Sequence, residues 1–587
     1  MPTNAYTTAI KAQSNLLAYW ELAETAGTSG TNSVIDQTGN NDGTPTSMTF
    51  GGTGTFPGNS VYASFNGSSS YIDCGAATNL SFTASSVFSI EGWIYPGSST
   101  YFNEVIGKYT GDTAPGWRVL LGDFGGSGFA LQLLLSNNAN SNNCINVLSS
   151  YKFTLSTWNH FVITYSGSGT AAGVQFYING EYVAGNDQGT TLTGAITNSA
   201  DVQIGAIAGG TNWTGYMSNI SITNSVMSPR TVSNHFALGY NIKSISQTSV
   251  PVIFDSDGNI DIDDYLALGC LHYMQNHNEC TILAVMSDSG NSPSANAAGS
   301  PQVFNVINTF YNRPSIPIGR YSGGIDTGGP SSGTDWNTDI PANYTNAGVP
   351  VPGVALYRQT LAAQAANSVT IVITGIHTLL AGLLASAADG YSSLNGVALV
   401  AAKCAALVVM GGYEPSTGTA EYNMYTDPAD AAYTFANWPS SVPIYLSGNQ
   451  VGVQFTPGVL AGMALTNTSP IRKILQDYGA LSTGRQAFDE TAALYAVRGN
   501  SWNGNAVWTL TQGTNVVNSS TGVNTFTAGA GNMFYLTPTT FGQQVVAGMI
   551  DNMEIELPFV AEFTPNYLYS SNAISQPVDM VVLTDDI

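Results

Sequence analysis

The stretch PVIFDSDGNIDIDDYLALGC, residues 251–270, decides the fold of the second half of the chain. It opens on an apolar run and continues with helical apolar spacing, so it predicts a buried strand followed by a helix. Five aspartates lie between Asp255 and Asp264, although only 9% of all residues are charged. Crowded carboxylates repel each other unless something offsets their charge. Helix capping by Asp263 and Asp264 explains two of the five. The surplus indicates a site for calcium, which takes six to eight oxygen ligands.

The residues that follow repeat this alternation of strand and helix. The apolar runs CTILAVMSD, SVTIVITG and CAALVVMGG alternate with segments of helical spacing such as HTLLAGLL. Strands that alternate with helices form a mostly parallel sheet covered on both faces. We therefore predict an α/β domain over residues 250–551. Ligands of such sheets bind beyond the carboxyl ends of the strands, where the aspartates lie.

The first half of the chain has a different pattern. Short alternating runs such as FSIEGWIYP, WNHFVITYS and VQFYING are separated by Gly, Asn and Ser clusters. This pattern predicts an all-β jelly-roll sandwich over residues 16–237. Residues 1–15 form an N-terminal segment, 238–249 a polar linker and 552–587 a C-terminal tail.

Composition excludes some functions. The 587 residues carry a formal net charge of −23, which disfavours binding to a nucleic-acid duplex. No run of 18 apolar residues predicts a membrane span, and the five cysteines show no zinc or disulfide pattern. The N-terminus does not resemble a signal peptide. We expect a virion component such as a phage tail or fibre, or a protein that is extracellular after lysis, with the cytoplasm as the alternative. We also expect a homo-oligomer or a set of virion subunits.

The first domain resembles a known family. ASFNGSSSYIDCG, VQFYINGEYVAG and GYMSNISITNSVMSP occur in the order found in laminin-G-like, concanavalin A-like jelly rolls. That resemblance implies a lectin, a spacer or an adhesion module, and surface glycans are its candidate partner. Trp20, Trp93 and Trp158 are expected in the core, whereas Trp213 lies in a loop context where it could stack on a sugar. No metal site is predicted in this half.

The second domain resembles the inosine-uridine-preferring nucleoside hydrolases over residues 250–545. Five segments agree in order: VIFDSDGNIDIDDYLALGCLHYM, AVMSDSGN, VTIVITGIHTLLAGLL, LVVMGGYEPSTGTAEYN and GRQAFDETAALYAV. The resemblance implies a Ca²⁺ cofactor and a nucleoside or other ribosyl ligand. It assigns the metal to the carboxylates of Asp257, Asp264 and Asp489 and the backbone oxygen of Thr374. It assigns the sugar to Asp263, Asn291, Met410, Glu421 and Asn423. Asp257 is also the implied general base, and Asp261 is expected to bond to the metal ligands.

The group that protonates the leaving group is not readable. Many members of this family have a histidine before the late aspartate, where this chain has Phe488. His377 and Tyr413 are the catalytic candidates for this step, and Trp502 is a candidate surface for stacking on a base. A lone histidine such as His377 is more often a capping or packing residue.

Two functions therefore stay open. The first is a calcium-dependent N-glycosidase that cleaves a ribosyl bond, with the sandwich as a glycan-binding or attachment module. The alternative is a virion or surface attachment protein whose hydrolase-like domain binds a ligand without turnover.

Overall fold

The structure, a computed structural model, separates the chain into an antiparallel sandwich and a domain built on a mixed sheet. It describes residues 5–53, 61–97, 102–111, 114–126, 128–137, 143–189, 191–192, 194–207, 211–239, 249–258, 260–288, 299–323, 334–502 and 505–558.

The sandwich consists of two eight-stranded antiparallel sheets. Its strands are β1 Leu16–Trp20, β2 Thr44–Thr46, β3 Thr49–Thr53, β4 Val61–Asn66, β5 Tyr71–Asp73, β6 Phe88–Pro96, β7 Phe102–Lys108, β8 Gly116–Asp123, β9 Phe129–Ser136, β10 Cys144–Ser149, β11 Asn159–Tyr165, β12 Val174–Ile178, β13 Glu181–Val183, β14 Gly185–Asp187, β15 Gln203–Ile204 and β16 Thr214–Thr223. Its helices are α1 Ala5–Lys11 and α2 Pro229–Gly239, with short 3₁₀ turns at Thr78–Leu80 and Ala171–Gly173. The first sheet has the order β13-β12-β11-β6-β16-β4-β3, with β1 beside β16, and the second has the order β14-β10-β9-β8-β7-β15-β5-β2.

Alternation along the strands decides which side chains form the sandwich core. Ile90 and Ile94 of β6 point between the sheets and are fully buried there. Glu91 and Trp93, one position out of phase, point to the outer face and are covered by α1 and α2. The predicted all-β sandwich is confirmed.

The second domain alternates strands and helices. Its elements are β17 Val250–Ser256, α3 Asp263–Asn276, β18 Cys280–Ser287, α4 Ser300–Phe310, β19 Ile318–Arg320, α5 Trp336–Asn343, β20 Val351–Pro352, α6 Gly353–Ala363, β21 Val369–Ile373, α7 Thr378–Ala385, α8 Gly396–Lys403, β22 Cys404–Met410, α9 Tyr422–Thr426, α10 Pro428–Asn437, β23 Ile444–Ser447, α11 Asn449–Gly452, α12 Val459–Ala464, α13 Pro470–Tyr478, α14 Phe488–Arg498, β24 Ser501–Trp502, β25 Asn505–Ala506, β26 Trp508–Val517, β27 Asn524–Ala528, β28 Met533–Pro538 and α15 Thr540–Glu554.

The main sheet of this domain has the order β20-β19-β18-β17-β21-β22-β23-β28-β26-β27. Strands β20 to β28 along this order are parallel, whereas β26 pairs antiparallel with both of its neighbours. The prediction of an α/β domain with a mostly parallel sheet is confirmed. Because β17, β21 and β22 are adjacent and parallel, their carboxyl ends lie side by side at one edge of the sheet.

The two domains pack against each other through α2. Ser233 Oγ donates to Asn552 Oδ1 of α15 at 2.8 Å. Gly548 of α15 lies so close to the Asn179 carbonyl that an added Cβ would be 2.1 Å from that oxygen. The predicted linker and tail lie mostly outside the described residues, so the predicted domain boundaries stay predictions. Within the described residues, no helix is both long enough and apolar enough to span a membrane.

Candidate functional site

The carboxyl edge of the sheet carries a cavity of about 260 Å³. Small-molecule pockets usually measure ~300–1,000 Å³, so this one suits a ligand the size of a sugar with a small substituent. Its walls come from the loop after β17, the ends of β21 and β22, and the start of α14. The lining residues are Asp257, Ile260, Asp261, Asp263, Asp264, Thr374, Met410, Glu421, Tyr422, Asn423, Asn449, Arg485, Gln486, Phe488 and Asp489.

The acidic side of the cavity begins where β17 ends. Carboxylate oxygens of Asp261, Asp263 and Asp264 all lie within 4.8 Å of one another. The Ser256 hydroxyl donates to Asp264 Oδ1, which fixes that carboxylate against the strand end. Gly375, after β21, lies against the same loop, and a Cβ there would be 2.4 Å from the Asp257 backbone nitrogen. The absence of a side chain at position 375 therefore lets two strand ends meet.

Asp489 joins this acidic group from α14, where it lies in the first helical turn beside Asp264. Burial raises the pKa of Asp264 to about 7, and burial with neighbouring carboxylates raises the pKa of Asp263 and Asp489 well above their usual values. These acids therefore favour a proton or a cation at neutral pH.

On the other side of the cavity, the carboxyl ends of β21 and β22 are tied together by one asparagine. Asn423 Nδ2 donates to the Thr374 carbonyl at 2.8 Å and to the Met410 carbonyl at 3.2 Å. Glu421 caps α9, accepting from the backbone nitrogen of Asn423 at 3.1 Å and from that of Gly412 at 3.0 Å. Burial raises the pKa of Glu421 to about 7. This wall presents a carboxylate, an amide and the Met410 side chain to a ligand.

The oxygen-rich lining fits a hard divalent cation such as calcium. All four predicted ligand residues, Asp257, Asp264, Thr374 and Asp489, line the cavity. The three carboxylates that lie within 4.8 Å of one another are a different set, because they belong to Asp261, Asp263 and Asp264. Asp261 also forms an ion pair with Arg485, so the structure ties it to the one cationic side chain of the described lining.

Three other predicted site residues are not part of the described cavity lining. His377 is fully buried, contacts Phe435 at 5.6 Å between ring centroids and has no hydrogen-bond partner for either ring nitrogen among the described residues. Burial lowers its pKa to about 3. Tyr413 is half-buried, and its backbone nitrogen donates to Asn524 Oδ1 at 2.9 Å. Trp502 is buried, and the Arg498 guanidinium lies over it, 4.1 Å from its ring centroid. Their catalytic and stacking roles stay predictions from the sequence.

Asn291 lies outside the described residues. In the first domain, Trp213 is fully buried, so the expectation that it stacks on a sugar is wrong. A loop context in the sequence does not reveal that the ring turns inward between the sheets.

The structure also brings in residues that the motifs did not reveal. Four residues to which the motifs gave no role also line the cavity: Tyr422, Asn449, Arg485 and Gln486. Burial and the nearby Asp257 raise the pKa of the Tyr422 hydroxyl. The position of Tyr422 between Glu421 and Asn423 was a usable signal, whereas Asn449 lies in a separate element that only the sheet topology places here.

Together, the mixed-sheet domain with its acidic edge cavity and the antiparallel sandwich define a nucleoside hydrolase-like protein joined to a lectin-like domain. Residues 252–546 match the model of the family described as inosine-uridine preferring nucleoside hydrolase. The chain belongs to this family. Residues 66–233 match the concanavalin A-like lectin/glucanases superfamily. Comparison with curated proteins gave no match.

Several solved structures are similar to parts of the chain. One is the inosine-uridine preferring nucleoside hydrolase from Bacillus anthracis, at 16% identity and a TM-score of 0.39, covering 52% of this chain and 99% of that one. Another is the type III effector protein XopQ complexed with adenosine diphosphate ribose, at 14% identity and 0.38, covering 53% and 95%. A third is domain 4 of the extracellular arabinanase AbnA from Geobacillus stearothermophilus in complex with arabinotriose, at 17% identity and 0.27, covering 38% and 98%.

Proposed function

We propose that the second domain is a calcium-dependent N-glycosidase that cleaves the bond between a ribosyl group and its base. The observation that carries this proposal is the convergence of Asp257, Asp264, Asp489, Glu421 and Asn423 on one cavity. These residues come from three separate parts of the chain, so their convergence is not a consequence of one acidic loop.

The residue types fit the chemistry of the sugar. N-glycosidic cleavage develops positive charge on the ribosyl ring, which neighbouring carboxylates stabilise. Glu421 and Asn423 would hydrogen-bond sugar hydroxyls, and Met410 would give the ring an apolar surface; all three line the cavity. Such contacts hold the sugar in one orientation, which lowers the entropic part of the barrier.

Asp257 would accept the proton of the attacking water. A calcium ion held by Asp257, Asp264, Asp489 and the Thr374 carbonyl would make that water a better nucleophile near neutral pH. The role of Asp257 is then to orient the water and remove its proton.

The test is release of free base from inosine and uridine, and of nitrophenolate from 4-nitrophenyl riboside, by the full-length protein with calcium. Asp257→Asn should reduce turnover at least a hundredfold while calcium binding and the melting temperature show a folded domain. Calcium binding without release from any of the three compounds would contradict the enzyme and favour a ligand-binding domain without turnover.

For the first domain we propose glycan binding, in keeping with its superfamily. A half-buried aromatic patch on the outer face of the first sheet is the candidate surface. Tyr95 lies opposite Tyr216 on neighbouring strands, with ring centroids 4.9 Å apart. Tyr62 and Trp158 extend the patch, at 4.5 Å from Tyr216 and 5.5 Å from Tyr95 respectively. Flat aromatic surfaces of this kind offer apolar area next to polar hydroxyls.

A glycan array probed with the full-length protein and with Tyr216→Ala tests this role. We expect binding that the substitution weakens about tenfold. A blank array would leave the sandwich as a spacer or attachment module. The virion or extracellular setting and the oligomeric state remain predictions from composition.

A further inference from the structure

The charges of the cavity are unevenly distributed. Six acidic side chains line it, and Arg485 is the one basic side chain among the described lining residues. Heterolytic cleavage of a glycosidic bond separates charge in the same sense, because the sugar becomes positive while the leaving group becomes negative. The acids can stabilise the positive charge of the sugar. The negative charge of the leaving group needs a cation or a proton donor.

The aspartates of the described lining already have proposed roles, because Asp263 is assigned to the sugar and Asp264 and Asp489 are assigned to calcium. The lining includes neither histidine nor lysine, and Phe488 has no proton to give. The two oxygens of Glu421 already accept from backbone nitrogens of Gly412 and Asn423. Stabilisation of an anion is a further way to help the leaving group depart, and it needs no acid.

Arg485 is held rigidly for that role. Its guanidinium lies over the rings of Tyr478 and Phe488, 5.5 and 5.2 Å from their centroids. Its backbone nitrogen donates to the Pro457 carbonyl at 2.9 Å. Nη2 donates to Asp261, which fixes one edge of the guanidinium. The side chain is only 13% exposed, so the cation is kept largely away from bulk water.

The guanidinium retains unused donor capacity. Its Nε has no hydrogen-bond partner among the described residues, and each terminal nitrogen has a second N–H beyond the bonds to Asp261 and Gln486. A buried donor without a partner is costly, and a ligand that accepts from it removes that cost. The ion pair with Asp261 therefore orients Arg485 without using up its donors.

We propose that Arg485 is a catalytic residue that stabilises the leaving group as an anion. This inference rests on the proposed N-glycosidase function. The bond between C1′ and the leaving atom breaks, and both electrons go to the leaving group, which departs beside the guanidinium. The oxygen of the attacking water forms the new bond to C1′ as Asp257 takes a proton from that water, and the leaving group gains its proton from solvent after departure. The domain consequently selects ribosyl compounds whose leaving groups are stable as anions.

The test compares full-length protein with Arg485→Met, Arg485→Lys and Asp261→Asn. The substrates are 4-nitrophenyl riboside, whose leaving group is a stable anion, and inosine, whose leaving group is a poorer one. Arg485→Met should lower kcat/KM about a hundredfold for inosine and less than tenfold for the nitrophenyl compound, as expected for loss of a donor to developing charge. Arg485→Lys retains the charge without the fork and should be intermediate.

Two variants separate this role from a structural one. Asp261→Asn removes the charge of the ion pair but keeps an oxygen that can accept from Nη2, so the ratio of the two kcat/KM values should change far less than it does with Arg485→Met. Arg472→Met removes an arginine that donates to the Gly462 carbonyl outside the cavity and should leave both values unchanged. Equal losses on both substrates with Arg485→Met, or no loss, would overturn the inference alone. Failure of the unsubstituted protein to cleave either substrate would overturn the proposed function and this inference with it.

Discussion

Gly375→Ala is expected to disable the site without replacing a ligand-binding side chain. The new Cβ would lie 2.4 Å from the Asp257 backbone nitrogen and 2.8 Å from the Ser256 carbonyl carbon. Ordinary contacts begin near 3.4 Å, so the strand ends must separate by about 1 Å. Both contacts are to backbone, which cannot rotate away as a flexible side chain would. The displacement therefore moves Asp257, the proposed base, relative to the sugar-binding wall.

The magnitude follows from that displacement. A shift of ~1 Å in a positioned catalytic group costs about a hundredfold in rate, or about 2.7 kcal/mol of transition-state stabilisation. Overpacking of this kind costs ~1–3 kcal/mol of folding stability. We therefore expect a folded protein with slightly lower melting temperature, weaker calcium binding and kcat/KM on 4-nitrophenyl riboside lower by about a hundredfold.

Gly390→Ala is the matched control, because a Cβ there meets no atom within 4 Å. It adds the same methyl group to the same domain and should change neither calcium affinity nor kcat/KM. If Gly375→Ala kept both values of the unsubstituted protein, the reasoning from this close approach to the position of Asp257 would be refuted.

Four further predictions concern the metal, Glu91, the pH dependence of stability and His377. Removal of calcium with a chelator should lower the melting temperature, since a ligand at a hundred times its Kd stabilises the folded state by ~2.7 kcal/mol. A melting temperature that is the same with and without calcium would contradict the metal site. Glu91, buried in the sandwich, accepts from Tyr6 Oη at 2.9 Å, His160 Nε2 at 2.8 Å and His235 Nδ1 at 3.0 Å, so Glu91→Gln should cost ~3–5 kcal/mol in urea unfolding. Burial favours its neutral form, but His235 and His160 hold the pKa of Glu91 well below its usual value, while burial lowers the pKa of His160. Both groups bind more protons in the unfolded state than in the folded state. Their contribution to the free energy of unfolding is therefore complete above pH 6.5. The contribution of His160 should decrease as the pH falls below 6.5, and that of Glu91 as the pH falls below 4.5. A urea midpoint independent of pH from 8 to 4 would contradict this. His377→Leu should leave kcat/KM within about twofold and the free energy of unfolding equal or higher. The reason is that it removes two buried nitrogens that have no hydrogen-bond partner among the described residues. A tenfold loss of activity would restore the catalytic role suggested by the sequence.

Much of the site was predictable because several of the motifs lie at strand ends. Asp257, Thr374 and Met410 follow buried apolar runs, and parallel strands bring such ends to one edge of the sheet. Asp489 begins a helix that follows another helix, so only the resemblance to the nucleoside hydrolases grouped it with Asp264. The fold class followed from the change between alternating and helical apolar spacing near residue 250.

Side-chain direction and distance were not predictable in the same way. His377 follows Thr374 by three residues, yet the first turn of α7 directs its ring into the apolar core beside Phe435. Trp213 follows polar loop residues but is fully buried. Arg485 lies within the segment GRQAFDETAALYAV, but the resemblance gives it no role, and it reaches the cavity because α14 and the loop after β17 are neighbours in space.

The sequence by itself determined two domains, an all-β sandwich and an α/β sheet, and, through its resemblance to the nucleoside hydrolases, many of the residues that line the cavity. Periodicity and motif order are local properties, so they survive without coordinates. Only the tertiary structure decided which side chains face the cavity. It paired Asp261 with Arg485, placed that cation among six acids, and turned His377 and Trp502 away. These outcomes depend on contacts between residues distant in the chain, and packing rather than sequence spacing sets them.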